Sequence, residues 1–235
     1  MYGQRVNILL HHLQVPFTEV LIPLDRPREP WYLAINPRGL IPALEIEDVA
    51  NGRKEAVIES ALICHFLLDL ARGWGEEFAA RADEIFPQGH DLVTATKRYR
   101  QSLFLDTYFE KLRAAGRSLQ HQRTEEAQQS FLTAAKELDP VCPQPGHYFG
   151  DSETISLVEV LTGPYLIRVD ANLRWGLMPN AGGISDRLQV EAPKFYAWMK
   201  MLAADEGIKA GTWDEEVQHK YVNERFVKSG IQVQK

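Results

Sequence analysis

The stretch Asn36-Pro37-Arg38-Gly39-Leu40-Ile41-Pro42-Ala43-Leu44 constrains this chain most, because two prolines and a glycine stand at the entrance to an apolar segment. Pro37 and Gly39 mark a turn, and Ile41-Pro42 opens a short strand. A proline at a strand entrance has no N–H to give the ladder, which suits a sheet edge or a sharp bend. X–Pro is also the one peptide link that adopts cis at modest cost. A cis Ile41–Pro42 bond would turn the N–H and C=O of Ile41 outward, where an extended peptide could pair with them. Further on, Glu59-Ser60 end a second strand and begin an apolar helix. That position sets a carboxylate, a hydroxyl and the orphan N–H groups of a helix N-terminus side by side. Such a corner can hold the ammonium and the carboxylate of one amino-acid head group.

The segments around these corners alternate in type. Val6, Leu9, Leu10 and Leu13 form the i, i+3, i+4, i+7 stripe of a helix over residues 4–13, which Pro16 breaks. Residues 17–24 are rich in β-formers and predict a strand. Residues 26–35 read as a mixed loop or short helix carrying Arg28 and Trp31. Two short strands, 42–46 and 56–58, flank Asn51-Gly52, a strong hairpin signal. An apolar helix over 60–72 stops at Gly73. Residues 74–89, charged and poor in periodic apolar positions, predict a linker. Beyond it every segment reads as helix: 90–119, 124–138, a run opened by the capping box Ser156-Leu157-Val158-Glu159 and kinked at Pro164, then 188–204 and 212–226. A loop is predicted over 178–186, around Gly182-Gly183.

Composition narrows the function. A net charge of −6 argues against a nucleic-acid partner. No apolar run approaches the ~20 residues of a membrane span, and the N-terminus lacks a signal-peptide layout. Two cysteines, Cys64 and Cys142, make no disulfide framework, so the cytoplasm is the expected compartment. Cys64 lies mid-helix and reads as packing; Cys142, beside Pro143, reads as more exposed. The histidines show no metal-ligand spacing, so no metal is expected.

The two corner segments, with Pro30-Trp31-Tyr32-Leu33 and Tyr2-Gly3-Gln4-Arg5-Val6, resemble the glutathione S-transferase superfamily, and most of all its omega-type and fungal omega-like branches. The resemblance implies an α/β plus all-α architecture. Residues 1–73 would form a thioredoxin-like glutathione-binding domain with its first strand absent, 74–89 a linker, and 90–235 an all-helical C-terminal domain. Glutathione would be the cosubstrate. Glu59 and Ser60 would hold its γ-glutamyl head, Ile41, ahead of Pro42, would pair with the cysteinyl backbone, and Arg28 would meet the glycyl carboxylate. The blander alternatives are a surface charge for Glu59, a helix cap for Ser60 and a solvated arginine for Arg28.

In the omega-like pattern Cys-Pro-Tyr/Phe-x-Gln-Arg the cysteine begins the first helix. Tyr2-Gly3-Gln4-Arg5 fits the end of that pattern, which places the catalytic residue, like the first strand, ahead of Met1. Within the chain Tyr2 is a candidate donor to a thiolate, set against the fraying of residues near a terminus. A small-molecule electrophile would lie between the domains, among Tyr99, Phe104, Tyr108, Tyr165, Trp175 and Trp198. Tyr108, Trp175 and Trp198 are taken as substrate-pocket residues, although aromatics at helical spacing more often fill a core. The expected function is conjugation or reduction of an electrophile by a homodimeric enzyme, as in fungal secondary-metabolite pathways. The alternative is a non-catalytic glutathione-binding or interaction module.

Overall fold

A computed structural model describes residues 1–23, 27–178, 181–212 and 214–228 of the chain. Helix α1, Tyr2–Leu13, buries the predicted stripe and ends where Gln14 turns left-handed ahead of Pro16. After a short helix α2, Pro30–Ile35, come strands β1, Ala43–Asp48, and β2, Arg53–Ile58. They form a two-stranded antiparallel sheet whose register pairs Ala43 with Ile58 and Asp48 with Arg53. Asn51 and Gly52 make the turn, with Gly52 at a φ of 68°. Helices α3, Ser60–Ala71, and α4, Glu76–Ile85, complete the first domain.

The second domain is helical. It comprises α5, Leu92–Thr107; a π-helical turn, Tyr108–Leu112; α6, Arg113–Gln122; and α7, Glu125–Leu138. Helices α8, Leu157–Arg174; α9, Ala181–Glu191; α10, Pro193–Ala204; α11, Glu206–Ala210; and α12, Glu215–Lys228, follow. Helix α8 is apolar nearly all round, the mark of a helix enclosed by others, and is buried from Leu157 through Leu166. The capping box at its start is complete: Ser156 Oγ accepts from Val158 N–H, and Glu159 Oε2 accepts from Ser156 N–H at 2.9 Å. Helix α1 lies between α3 and α8 and so joins the two domains into one core. At the end of α11 a Cβ on Gly211 would stand 2.4 Å from the backbone nitrogen of Ile8, so only glycine lets these segments approach so closely.

Three expectations are corrected. The strand predicted over 17–24 does not form among the described residues, and Leu24 lies outside them. Val20 and Leu21 are 61% and 70% exposed, and an extended segment with no neighbouring strand has no ladder to join. The predicted linker 74–89 contains α4, whose Ala82 and Ile85 are fully buried. The predicted loop 178–186 is largely helix, since α9 begins at Ala181 and carries both glycines; Pro179 and Asn180 lie outside the described residues.

Candidate functional site

The pairing of Ala43 with Ile58 decides where the two sequence corners meet. Residues 41–42 precede Ala43 and residues 59–60 follow Ile58, so both corners stand at the same end of the hairpin. The Ile41–Pro42 bond is cis. The turn before it is pinned from inside. Buried Asn36 and Tyr32 donate to Leu40 O at 2.7 Å and 2.6 Å, and Gly39 N–H donates to Asn36 O. Gly39 has a φ of 60°, and a Cβ there would press on the Arg28 and Leu33 side chains.

At the second corner Glu59 takes a φ of 71°, rare for a residue with a side chain. Its exposed carboxylate pairs with Arg38 from the first corner. Ser60 is buried at the start of α3, and its Oγ accepts from Arg5 at 3.2 Å. No side chain caps α3, which leaves the N–H groups of its first turn without a capping acceptor, an arrangement that favours an anion. Arg28 is brought beside the first corner, where its Nε donates to Gly39 O at 3.0 Å and another guanidinium nitrogen reaches Pro23 O. These two bonds tie the Arg28 guanidinium to the backbone of Gly39 and Pro23.

From Ile41 a cavity of about 530 Å³ extends to the helical domain. Tyr2 and Gln4 of α1, Arg113 of α6, and Tyr165 and Arg168 of α8 contribute to its wall.

Residues 1–70 match the family model described as "Glutathione S-transferase, N-terminal domain". The first domain is thus similar in sequence to a glutathione S-transferase N-terminal domain. Pyrimidodiazepine synthase of Drosophila melanogaster is 24% identical over 95% of this chain and 82% of its own length. A more local likeness links 26% of the chain to 28% of the glutathione S-transferase-like protein tpcF of Aspergillus fumigatus, at 38% identity. Among solved structures, glutathione transferase Omega 1C of Trametes versicolor superposes with a TM-score of 0.77 at 19% identity, over 96% of this chain and 92% of that one. The whole chain carries the glutathione transferase fold.

Within this transferase fold the predicted pocket aromatics are placed elsewhere. Tyr108 and Trp198 are 0% and 1% exposed. Tyr108 packs edge-on against Tyr165, and Trp198 donates from Nε1 to Glu159 at 3.1 Å. Trp175 lies 4.5 Å from the His219 ring, in a separate hollow beside α12. The physical reason is helical spacing: an aromatic on the inner stripe of a packed helix meets the next helix before it meets a cavity. Tyr99 is exposed and Phe104 buried, whereas Tyr165 does reach the cavity.

Both cysteines are buried, which corrects the expected exposure of Cys142. Burial pushes the Cys64 thiol up to about 12 and that of Cys142 higher still. Tyr2 remains partly exposed at the cavity wall, with the Arg5 guanidinium 4.8 Å from its ring centre. Among the polar residues of the wall, Arg113, Arg168 and Asn172 were not singled out from sequence. Isolated arginines far apart in a chain give no local signal.

Proposed function

We propose that this chain is a glutathione transferase of omega-like type that adds glutathione to a small electrophile. The observation that carries this is the hairpin register, which sets the Ile41 backbone and the Glu59–Ser60 helix start at one end, opening toward an interdomain cavity. The γ-glutamyl ammonium would meet the Glu59 carboxylate. Its α-carboxylate would meet Ser60 and the free N–H groups of α3, and the cysteinyl unit would pair with Ile41 as an added strand does. Arg28, held at the turn, would stand nearest the glycyl end. The sulfur of glutathione, directed into the cavity past Tyr2, is then the nucleophile. It forms a C–S bond as the leaving group departs with its electrons and the thiol proton passes to solvent. Support for the omega-like type comes from Tyr2-Gly3-Gln4-Arg5 and the superposition on the Trametes enzyme.

The second reading, a glutathione-binding module without turnover, is favoured by the state of the cysteines. Neither Cys64 nor Cys142 is a usable thiolate nucleophile at neutral pH. We also infer a homodimer. Leu92, Tyr99 and Leu103 form an exposed stripe along α5 at i, i+7 and i+11, and Leu62 of α3 is exposed as well; a second copy would cover such a surface.

Calorimetric titration of reduced glutathione, with a conjugation assay on 1-chloro-2,4-dinitrobenzene, tests the proposal. Glu59→Ala and Ser60→Ala should each weaken glutathione binding by about tenfold or more, the worth of a hydrogen bond to a charged group. Unchanged affinity in both variants would overturn the assignment. Binding without conjugation would favour the module.

A further inference from the structure

The cavity carries more positive charge than the tripeptide corners use. Arg113, Gly116 and Gln120 recur at i, i+3 and i+7 on α6, and Tyr165, Arg168 and Asn172 do so on α8, so each trio occupies one helix face. Arg168 donates to Gln4 Oε1 at 3.3 Å. The Arg113 guanidinium lies 4.4 Å from the Tyr165 ring centre, a cation–π contact. Behind the wall Arg5 is buried, and burial together with the like charge of Arg113 pushes its pKa down. Glu19 is the acidic residue among those lining the cavity; it is exposed and accepts from Asn7 at 2.8 Å.

The unpaired atoms point the same way. Gln4 is 4% exposed and lines the cavity, yet its Nε2 has no hydrogen-bond partner. Nε of Arg113, and Nε and one terminal nitrogen of Arg5, are likewise buried and unpaired. All four are N–H donors. Buried donors without acceptors are destabilising, and the two on residues that line the cavity, Gln4 Nε2 and Arg113 Nε, stand where a bound anion can accept from them. Asn172 adds an unpaired Oδ1 that could receive a ligand hydroxyl. Gly116 makes room for the Tyr165 ring, because a Cβ there would stand 1.7 Å from its hydroxyl.

We propose that Arg113, Arg168 and Gln4 form an anion subsite for the carboxylate of a flat aromatic ligand, whose ring lies against the exposed Tyr2, Val20 and Leu21 side chains that also line the cavity. Naming that ligand the second substrate rests on the transferase reading above; the anion subsite does not. The ligand class is an aromatic acid, and hydroxyl substituents are compatible with Asn172.

The test uses 3,5-dinitrobenzoate and its methyl ester, two unreactive probes of nearly the same shape that differ in charge. Both are titrated calorimetrically into the full chain and into Arg113→Met, Arg168→Met and Arg168→Lys. The acid should bind about tenfold or more tightly than the ester. Each methionine variant should lose about that factor for the acid alone, and Arg168→Lys should recover part of it. Unchanged ester affinity doubles as the check that the variants are folded. Equal binding of acid and ester, or methionine variants that keep the acid affinity, would overturn the proposal. So would mutual exclusion of the acid and glutathione, because the arginines would then serve the tripeptide. If the acid binds as expected while glutathione does not bind, the transferase reading fails and the anion subsite stands.

Discussion

Cys64 illustrates how a single residue's role follows from its surroundings. Between Ile63 and His65 on α3, it is fully enclosed, and its thiol is raised to about 12 because the thiolate would lie in apolar surroundings. Native protein at pH 8 should therefore release almost no colour from Ellman's reagent, while two thiols per chain should appear in denaturant; rapid native labelling would contradict the burial. Gly39 makes the complementary backbone case. Its φ of 60° and the crowding against Arg28 and Leu33 predict that Gly39→Ala costs about 1–2 kcal/mol, read as a lowered unfolding midpoint. Residue types were readable from sequence wherever the backbone demanded them, as at Gly39, Pro42 and Gly52. They were not readable where the role depends on a distant helix: Tyr108 and Tyr165 look alike in sequence, yet one is core and the other reaches the cavity.

At the scale of elements, α8 depends on its first turn. Glu159 is fully buried and accepts from Ser156 N–H, Ser156 Oγ, Phe149 N–H and Trp198 Nε1. Ser156→Ala removes one cap and should cost about 0.5–2 kcal/mol. Glu159→Leu strands four donors at about 1–3 kcal/mol each, enough to rival the stability of a whole domain. Chemical denaturation should show a modest shift for the first variant and loss of cooperative unfolding for the second; similar shifts for both would contradict this ordering. The hairpin and the capping box were legible because their signals are local: Asn51-Gly52 for one, and a Ser and a Glu three residues apart for the other. The first half of helix α9 was missed because Gly182-Gly183 suggested a loop, whereas packing of Ile184 and Leu188 outweighs the roughly 1 kcal/mol that each glycine costs a helix. The strand over 17–24 was misread for the opposite reason: β propensity is expressed only beside a partner.

For the whole molecule, the two domains share one core through α1, and the cavity opens where that core stops. The stripe on α5 leads to a prediction about assembly. The chain should elute with the mass of a dimer in size exclusion with light scattering, and Leu92→Glu combined with Tyr99→Glu should give a monomer that keeps its helical signal. A wild-type monomer at micromolar concentration would contradict the inferred interface. The domain order was legible because strand signals occur only in the first part of the chain and helical patterns alone follow the helix that stops at Gly73. The cavity wall was not, because Gln4, Arg113 and Arg168 converge only through the packing of three helices. The most direct test of the central claim is a crystal structure of the chain soaked with reduced glutathione. The account predicts the γ-glutamyl group at the start of α3 against Glu59 and Ser60, the cysteinyl backbone against Ile41, and the sulfur turned into the cavity. Glutathione bound elsewhere, or absent from that end of the hairpin at millimolar concentration, would contradict it.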